Sequence, residues 1–137
     1  MATDQWHESS EQLTEATKNM TRAINSLKEE LEAIDWYQQR IDASTDEALK
    51  RILTHNRDEE KEHAAMVLEW IRRHDEKFNQ VLRTYLFTDG QEITQIEREE
   101  EAESLGADND NATSSQSETG RDQPTFTVGS LRKSANG

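Results

Sequence analysis

The sequence predicts an all-α fold: a hairpin of two long antiparallel helices, a shorter third helix, and a C-terminal tail without regular structure. Three observations carry that expectation. All five glycines and the single proline lie at or after Gly90, so residues 1–89 hold no strong helix breaker. Apolar residues in that stretch recur in steps of three and four, the spacing of one helix face. Ser, Asp, Asn, Glu and Thr dominate the rest of the chain, a composition that favours a solvated tail over a packed core.

Taken in order, residues 1–8 are polar and are expected to form a flexible N-terminus, not a signal peptide. Ser9 and Gln12 have capping-box spacing, which places the start of the first helix there. Its stripe runs through Met20, Ile24, Leu27, Leu31 and Ile34, and fades at Asp42-Ala43-Ser44. Ser44 and Glu47 repeat the capping spacing and are expected to open the second helix; so short a connection makes antiparallel neighbours. The stripe continues through Leu49, Ile52, Leu53, Asn56, Glu60, His63, Val67, Trp70 and Ile71. It weakens near His74-Asp75. Phe78, Val81, Leu82, Tyr85 and Leu86 then fit a third helix, with an unbroken second helix as the alternative. The helical domain is thus expected over 9–88, and a disordered acidic, Ser-rich linker over 89–123. Within the linker the run Glu97 to Glu103 extends a helix transiently.

Helices totalling about 80 residues bury little apolar surface alone. The stripes are therefore expected to pack against a second copy, so that dimerisation completes a four-helix bundle. A formal charge of −13 argues against nucleic-acid binding and favours cationic partners, metal ions included. No cysteine is present, which excludes disulfides, thiolate zinc sites and thiol catalysis. No apolar stretch approaches the length of a membrane span, and Ser and His occur without the glycine pattern of a nucleophile elbow.

Glu60 and His63 stand one helical turn apart on the apolar stripe. With His63 at zero and about 100° per residue, Glu60 falls at about +60°, Val67 at about +40° and Ile52 at about −20°. On the first helix, Glu30 lies on the same arc as Ile34 and Ile41. Carboxylate and imidazole placed where apolar side chains belong need a counter-ion, because burying them unpaired costs several kcal/mol each. The plainer reading is a solvated acidic edge beside a satisfied core histidine. Di-iron carboxylate bundles use a Glu from each of two helices and a Glu-x-x-His from two more. This chain has one of each, half a site, and a twofold dimer supplies the other half.

At these residues the chain resembles the encapsulated ferritins. The likeness is carried by Glu29-Glu30-Leu31-Glu32-Ala33-Ile34-Asp35-Trp36-Tyr37, by His55 to Met66 around the Glu-x-x-His, and by Leu68 to Arg73 and Leu82 to Phe87. The resemblance implies a ferritin-like bundle with a ferroxidase centre between two chains, holding two iron ions per subunit dimer. Glu30, Glu60 and His63 would be its ligands, Glu60 bridging, with Tyr37 beside them. It implies a ring of five such dimers. It also implies a secondary metal-attracting site at Glu29, Glu32 and Trp36, which otherwise read as a charged outer face with one interface tryptophan. A non-catalytic metal-binding oligomer or a helical adaptor remains the alternative.

Past the linker, residues 124–133 form an abrupt apolar island with Phe126, Val128 and Leu131 at alternate or near-alternate positions. Such a segment reads as a docking peptide, Gly129 permitting close backbone approach. Thr127-Val128-Gly129-Ser130-Leu131-Arg132 resembles the cargo-loading peptide of encapsulin systems, with Phe126 where a leucine is common. That likeness implies an encapsulin shell as partner, and a cytoplasmic location inside its nanocompartment.

Overall fold

The computed structural model describes residues 6–111, with side chains to residue 108. A single 3-10 turn, Ser10–Gln12, precedes four helices: α1 (Glu15–Ala43), α2 (Glu47–His74), α3 (Glu76–Tyr85) and α4 (Ile93–Asn111). No strand occurs among the described residues. None of these helices is long and apolar enough to cross a membrane.

The helix starts differ from the capping boxes. Ser9 precedes only the 3-10 turn and makes no side-chain cap bond. The first long helix begins at Thr14, whose Oγ1 accepts from the Thr17 N–H at 3.1 Å. Ser44 ends α1, and Asp46 caps α2 by accepting from the Leu49 N–H at 2.8 Å. A carboxylate two residues on combines the cap bond with favourable charge at the helix N-terminus. Asp75 caps α3 in the same way, at 2.7 Å from the Phe78 nitrogen, so the second and third helices are separate elements. Arg72, Arg73 and His74 suit the last turn of α2, where the dipole favours positive charge.

Helices α1 and α2 run antiparallel from the three-residue turn at Ser44, Thr45 and Asp46. Near the turn Gln38 meets Arg57, farther along Glu30 meets His63, and beyond them Ala23 and Ser26 share a groove with Val67 and Trp70. At the other end of α2, Arg72 grips Glu69 with two hydrogen bonds of 2.6 and 2.7 Å and reaches Asn79 of α3 at 2.5 Å. The guanidinium groups of Arg72 and Arg73 hold the Glu69 carboxyl down at about 2.

Ile41, Ala64, Ile71 and Ile96 are the buried apolar residues. Much of the expected stripe is not covered: Leu31 is 54% exposed, Leu49 47%, Ile52 58% and Met66 58%. Two helices bury only the residues that face each other, so the flanks of each stripe stay open.

The chain falls into two units that part after Ile96. Helix α4 occupies the opening of the segment expected as linker, and the run Glu97 to Glu103 lies within it. Glu, Arg, Ala and Leu are strong helix formers, and Gly106 is the one interior glycine of α4. A turn precedes it, with Phe87 at φ 59° and Gly90 at φ 82°. The island at residues 124–133, with Phe126 to Arg132, lies outside the described residues.

Candidate metal centre

Glu30 sits midway along α1, and Glu60 and His63 share one face of α2. The antiparallel register brings the three together: one donor atom from each lies within 4.8 Å of the others. His63 Nδ1 is 3.0 Å from Glu60 Oε2 and 3.8 Å from Glu30 Oε2. The two carboxylates are half-buried, with side chains 26% and 23% exposed, whereas the imidazole is 46% exposed. The group therefore opens towards one side of the hairpin.

The three groups shift one another's proton affinity. A hydrogen bond to Glu60 holds the Glu30 carboxyl above its usual range, with burial and the Glu60 charge adding to the effect. The same bond, joined by that from His63, holds Glu60 below its usual range. The opposite directions on Glu30 and Glu60 have one cause, the contact between their carboxyl groups. His63 is raised, first by its hydrogen bond to Glu60 and then by the charges of Glu30 and Glu60. Two carboxylates and one imidazole, with no thiolate, form a donor set that suits iron or manganese rather than structural zinc.

The other expected site residues lie elsewhere on α1. Tyr37 is half-buried, and the Arg40 guanidinium sits over its ring at 5.4 Å from the centroid. Glu29 and Glu32 are exposed and are not part of the close donor group. Trp36 is 49% exposed and lines a shallow depression with Gln39, Arg40 and Ala43. Sequence reasoning did not single out Arg57 and Gln38, which join α1 to α2 at 2.6 Å. Only the register of the hairpin places that pair together, and helical periodicity does not fix register.

A helical hairpin that gathers two carboxylates and an imidazole, with apolar flanks left open, has the donor types that carboxylate–histidine metal bundles draw from a pair of helices. The chain belongs to the EncFtn-like family, whose model matches residues 5–89, and is thereby one of the encapsulated ferritins. It is 62% identical over 103 residues to an encapsulated ferritin-like protein of Rhodospirillum rubrum, covering 74% of this chain and 73% of that one. A ferritin-like protein of Thermotoga maritima is 55% identical over 96 residues, covering 70% and 83%. The encapsulin nanocompartment cargo protein EncC of Myxococcus xanthus is 46% identical over 57 residues, covering 41% and 44%. Among solved structures, protein NE0167 from Nitrosomonas europaea is 57% identical with a TM-score of 0.61, covering 63% of this chain and 94% of that one.

Proposed function

We propose that the chain is a ferroxidase: Fe²⁺ is its substrate, dioxygen its oxidant, and two copies complete the centre. The observation that carries this reading is the convergence of Glu30, Glu60 and His63 within 4.8 Å in an encapsulated ferritin. Three donors do not fill the coordination shells of two ions. A twofold copy doubles them to four carboxylates and two imidazoles, the complement of di-iron carboxylate bundles.

Each residue then has a task. Protons compete with Fe²⁺ for Glu30 and His63, whose pKa values both lie above the ordinary ones. Glu60 bridges the paired ions, and Glu30 and His63 each complete the shell of one. The anionic carboxylates favour Fe³⁺ over Fe²⁺ and so assist transfer of one electron from each ion to dioxygen. Tyr37, about two turns along α1 from Glu30, is the aromatic group assigned to the surroundings of this centre. Glu29 and Glu32, exposed near Trp36, raise the local cation concentration on the approach. Five dimers close into a ring.

An open ring encloses no mineral. Two of the relatives are named as encapsulated or as nanocompartment cargo, and that supports an encapsulin shell as the partner and its interior as the location. The segment Phe126, Thr127, Val128, Gly129, Ser130, Leu131 and Arg132 is the address that docks on the shell wall.

Oxygen consumption on adding Fe²⁺ tests the activity. Glu30→Ala, Glu60→Ala and His63→Ala are each expected to lower the initial rate by roughly tenfold or more. Parent-like rates in all three, with assembly intact, would remove the ferroxidase reading and leave a metal-binding or adaptor oligomer. Deleting residues 124–137 is expected to leave oxidation unchanged and to abolish co-purification with the shell; retained loading contradicts the address.

A further inference from the structure

On the turn side of the metal centre, polar side chains form a continuous relay from α2 to α1. Lys61 Nζ donates to Asp58 Oδ1 at 3.0 Å. Arg57 reaches the same oxygen with Nε at 2.9 Å and Nη2 at 2.8 Å. Its remaining arm crosses between the helices, Nη1 donating to Gln38 Oε1 at 2.6 Å. The Gln38 amide nitrogen then donates to Asp42 Oδ1 at 2.9 Å. The crossing is shielded, since the Arg57 side chain is only 19% exposed. Lys61 adjoins Glu60 in sequence, so the relay reaches the centre on α2 and ties it to α1 about two turns from Glu30.

A brace at this place has a physical purpose. Glu30 belongs to α1 whereas Glu60 and His63 belong to α2, so the spacing of the two helices sets the distance between the donors. Apolar packing near the centre, such as the buried Ala64, leaves Leu31 and Ile52 exposed, so a polar tie between the helices adds to it. The Arg57–Gln38 bond lies about 12 Å along α1 from Glu30 and about 5–9 Å along α2 from Glu60 and His63, by a rise of 1.5 Å per residue. Arg57 is suited to the role, because its planar fork is held by Asp58 while a third nitrogen reaches across. Asp58 also neutralises a guanidinium that would otherwise oppose a cation arriving nearby.

The geometry points to Arg57 and Gln38 as positioning residues of the metal centre: the Asp58-held guanidinium fixes the separation of α1 and α2, and with it the reach from Glu30 to Glu60 and His63. This inference rests on the reading of that trio as a metal centre. It does not require that the centre turn over.

The test uses the full chain with Co²⁺ alone as probe, read by titration, beside thermal unfolding by circular dichroism. Arg57→Lys keeps the charge and loses the fork, whereas Gln38→Leu keeps the bulk and loses both hydrogen bonds. Each is expected to weaken Co²⁺ binding about tenfold, in the manner of groups that orient ligands, with Tm within a few degrees of the parent. The double variant is expected to bind no more weakly than the worse single one, because both remove the same bond. In Fe²⁺ oxidation the half-saturating concentration should rise more than the limiting rate falls. A parent-like Kd in either single variant, or losses that multiply in the double, overturns the inference. A parent chain that binds no Co²⁺ overturns it together with the metal-centre reading. A parent that binds Co²⁺ but leaves Fe²⁺ unoxidised removes the ferroxidase reading alone, and the Kd comparison still decides the role of Arg57 and Gln38.

Discussion

Glu30, Glu60 and His63 were legible as a group from periodicity, because a repeat near 3.6 fixes which side chains share an arc of a helix. Their protons were not legible, because those depend on donor–donor distances that only the hairpin register sets. The structure gives the protonation a direction, and with it a pH dependence. Glu30 and His63 have raised pKa values, so their contributions to stability are fully present below the ordinary values of 4.5 and 6.5. They are lost as pH rises through the raised ones. Glu60 behaves in the opposite sense: its contribution is present above 4.5 and lost as pH falls through its lowered value. Above pH 6.5 the His63 contribution is the one being lost, so in chelator the Tm of the metal-free chain should fall as pH rises above that point. His63→Ala should flatten this slope. Metal affinity should rise over the same window, since each bound ion displaces protons. A parent Tm that climbs between about pH 6 and 9 in chelator would contradict the raised pKa of His63.

At the scale of the elements, the long helices and the break before the third were readable, while their exact starts were not. Ser9 with Gln12 and Ser44 with Glu47 satisfy the capping-box spacing, but that spacing recurs easily in a chain rich in Ser, Thr and Glu. What decides a helix start is where the preceding turn ends. In the hairpin Ser44 still closes α1, its N–H donating to the Arg40 carbonyl at 3.0 Å, and α2 is capped two residues on, by Asp46. The acidic run after residue 92 shows the converse: high charge argued for a solvated linker, yet local helix propensity is sufficient to form α4. The two assignments of the α2 cap predict different energetics. Asp46→Ala should lower stability by about 1 kcal/mol in urea unfolding, and Thr14→Ala at the start of α1 by a similar amount. Ser44→Ala and Ser9→Ala should each change it by roughly 0.5 kcal/mol or less. If the serine variants proved the costlier pair, the helix starts described for α1 and α2 would be wrong.

For the whole molecule, the charge distribution and the apolar flanks point the same way. The chain has a formal charge of −13 and leaves Leu31, Leu49, Ile52 and Met66 about half exposed, which supports the proposed pairing of two copies. The sequence indicated this shortage of core from length and stripe spacing alone. It did not say which apolar positions stay open, because that depends on how the two helices roll against each other. Fully covering an exposed aliphatic side chain contributes roughly 1.5–3 kcal/mol, so these half-exposed residues each offer about half of that to an interface. Leu49 and Ile52 lie on α2 towards the turn from Glu60, and Leu31 adjoins Glu30, so in the proposed dimer the open apolar positions lie on the same helices as the metal donors. Ile52→Glu separates folding from assembly. The residue is 58% exposed in the single chain, so a glutamate there meets water and leaves the hairpin helical. In a dimer the same glutamate places a charge against its copy in a desolvated seam, where an unpaired carboxylate costs several kcal/mol. Sedimentation should therefore shift from dimer to monomer with unchanged helicity, and Co²⁺ affinity should fall by at least about tenfold because half the donors are lost. A variant that remains dimeric and binds Co²⁺ like the parent would show that the apolar flank around Ile52 is not the surface on which two copies meet.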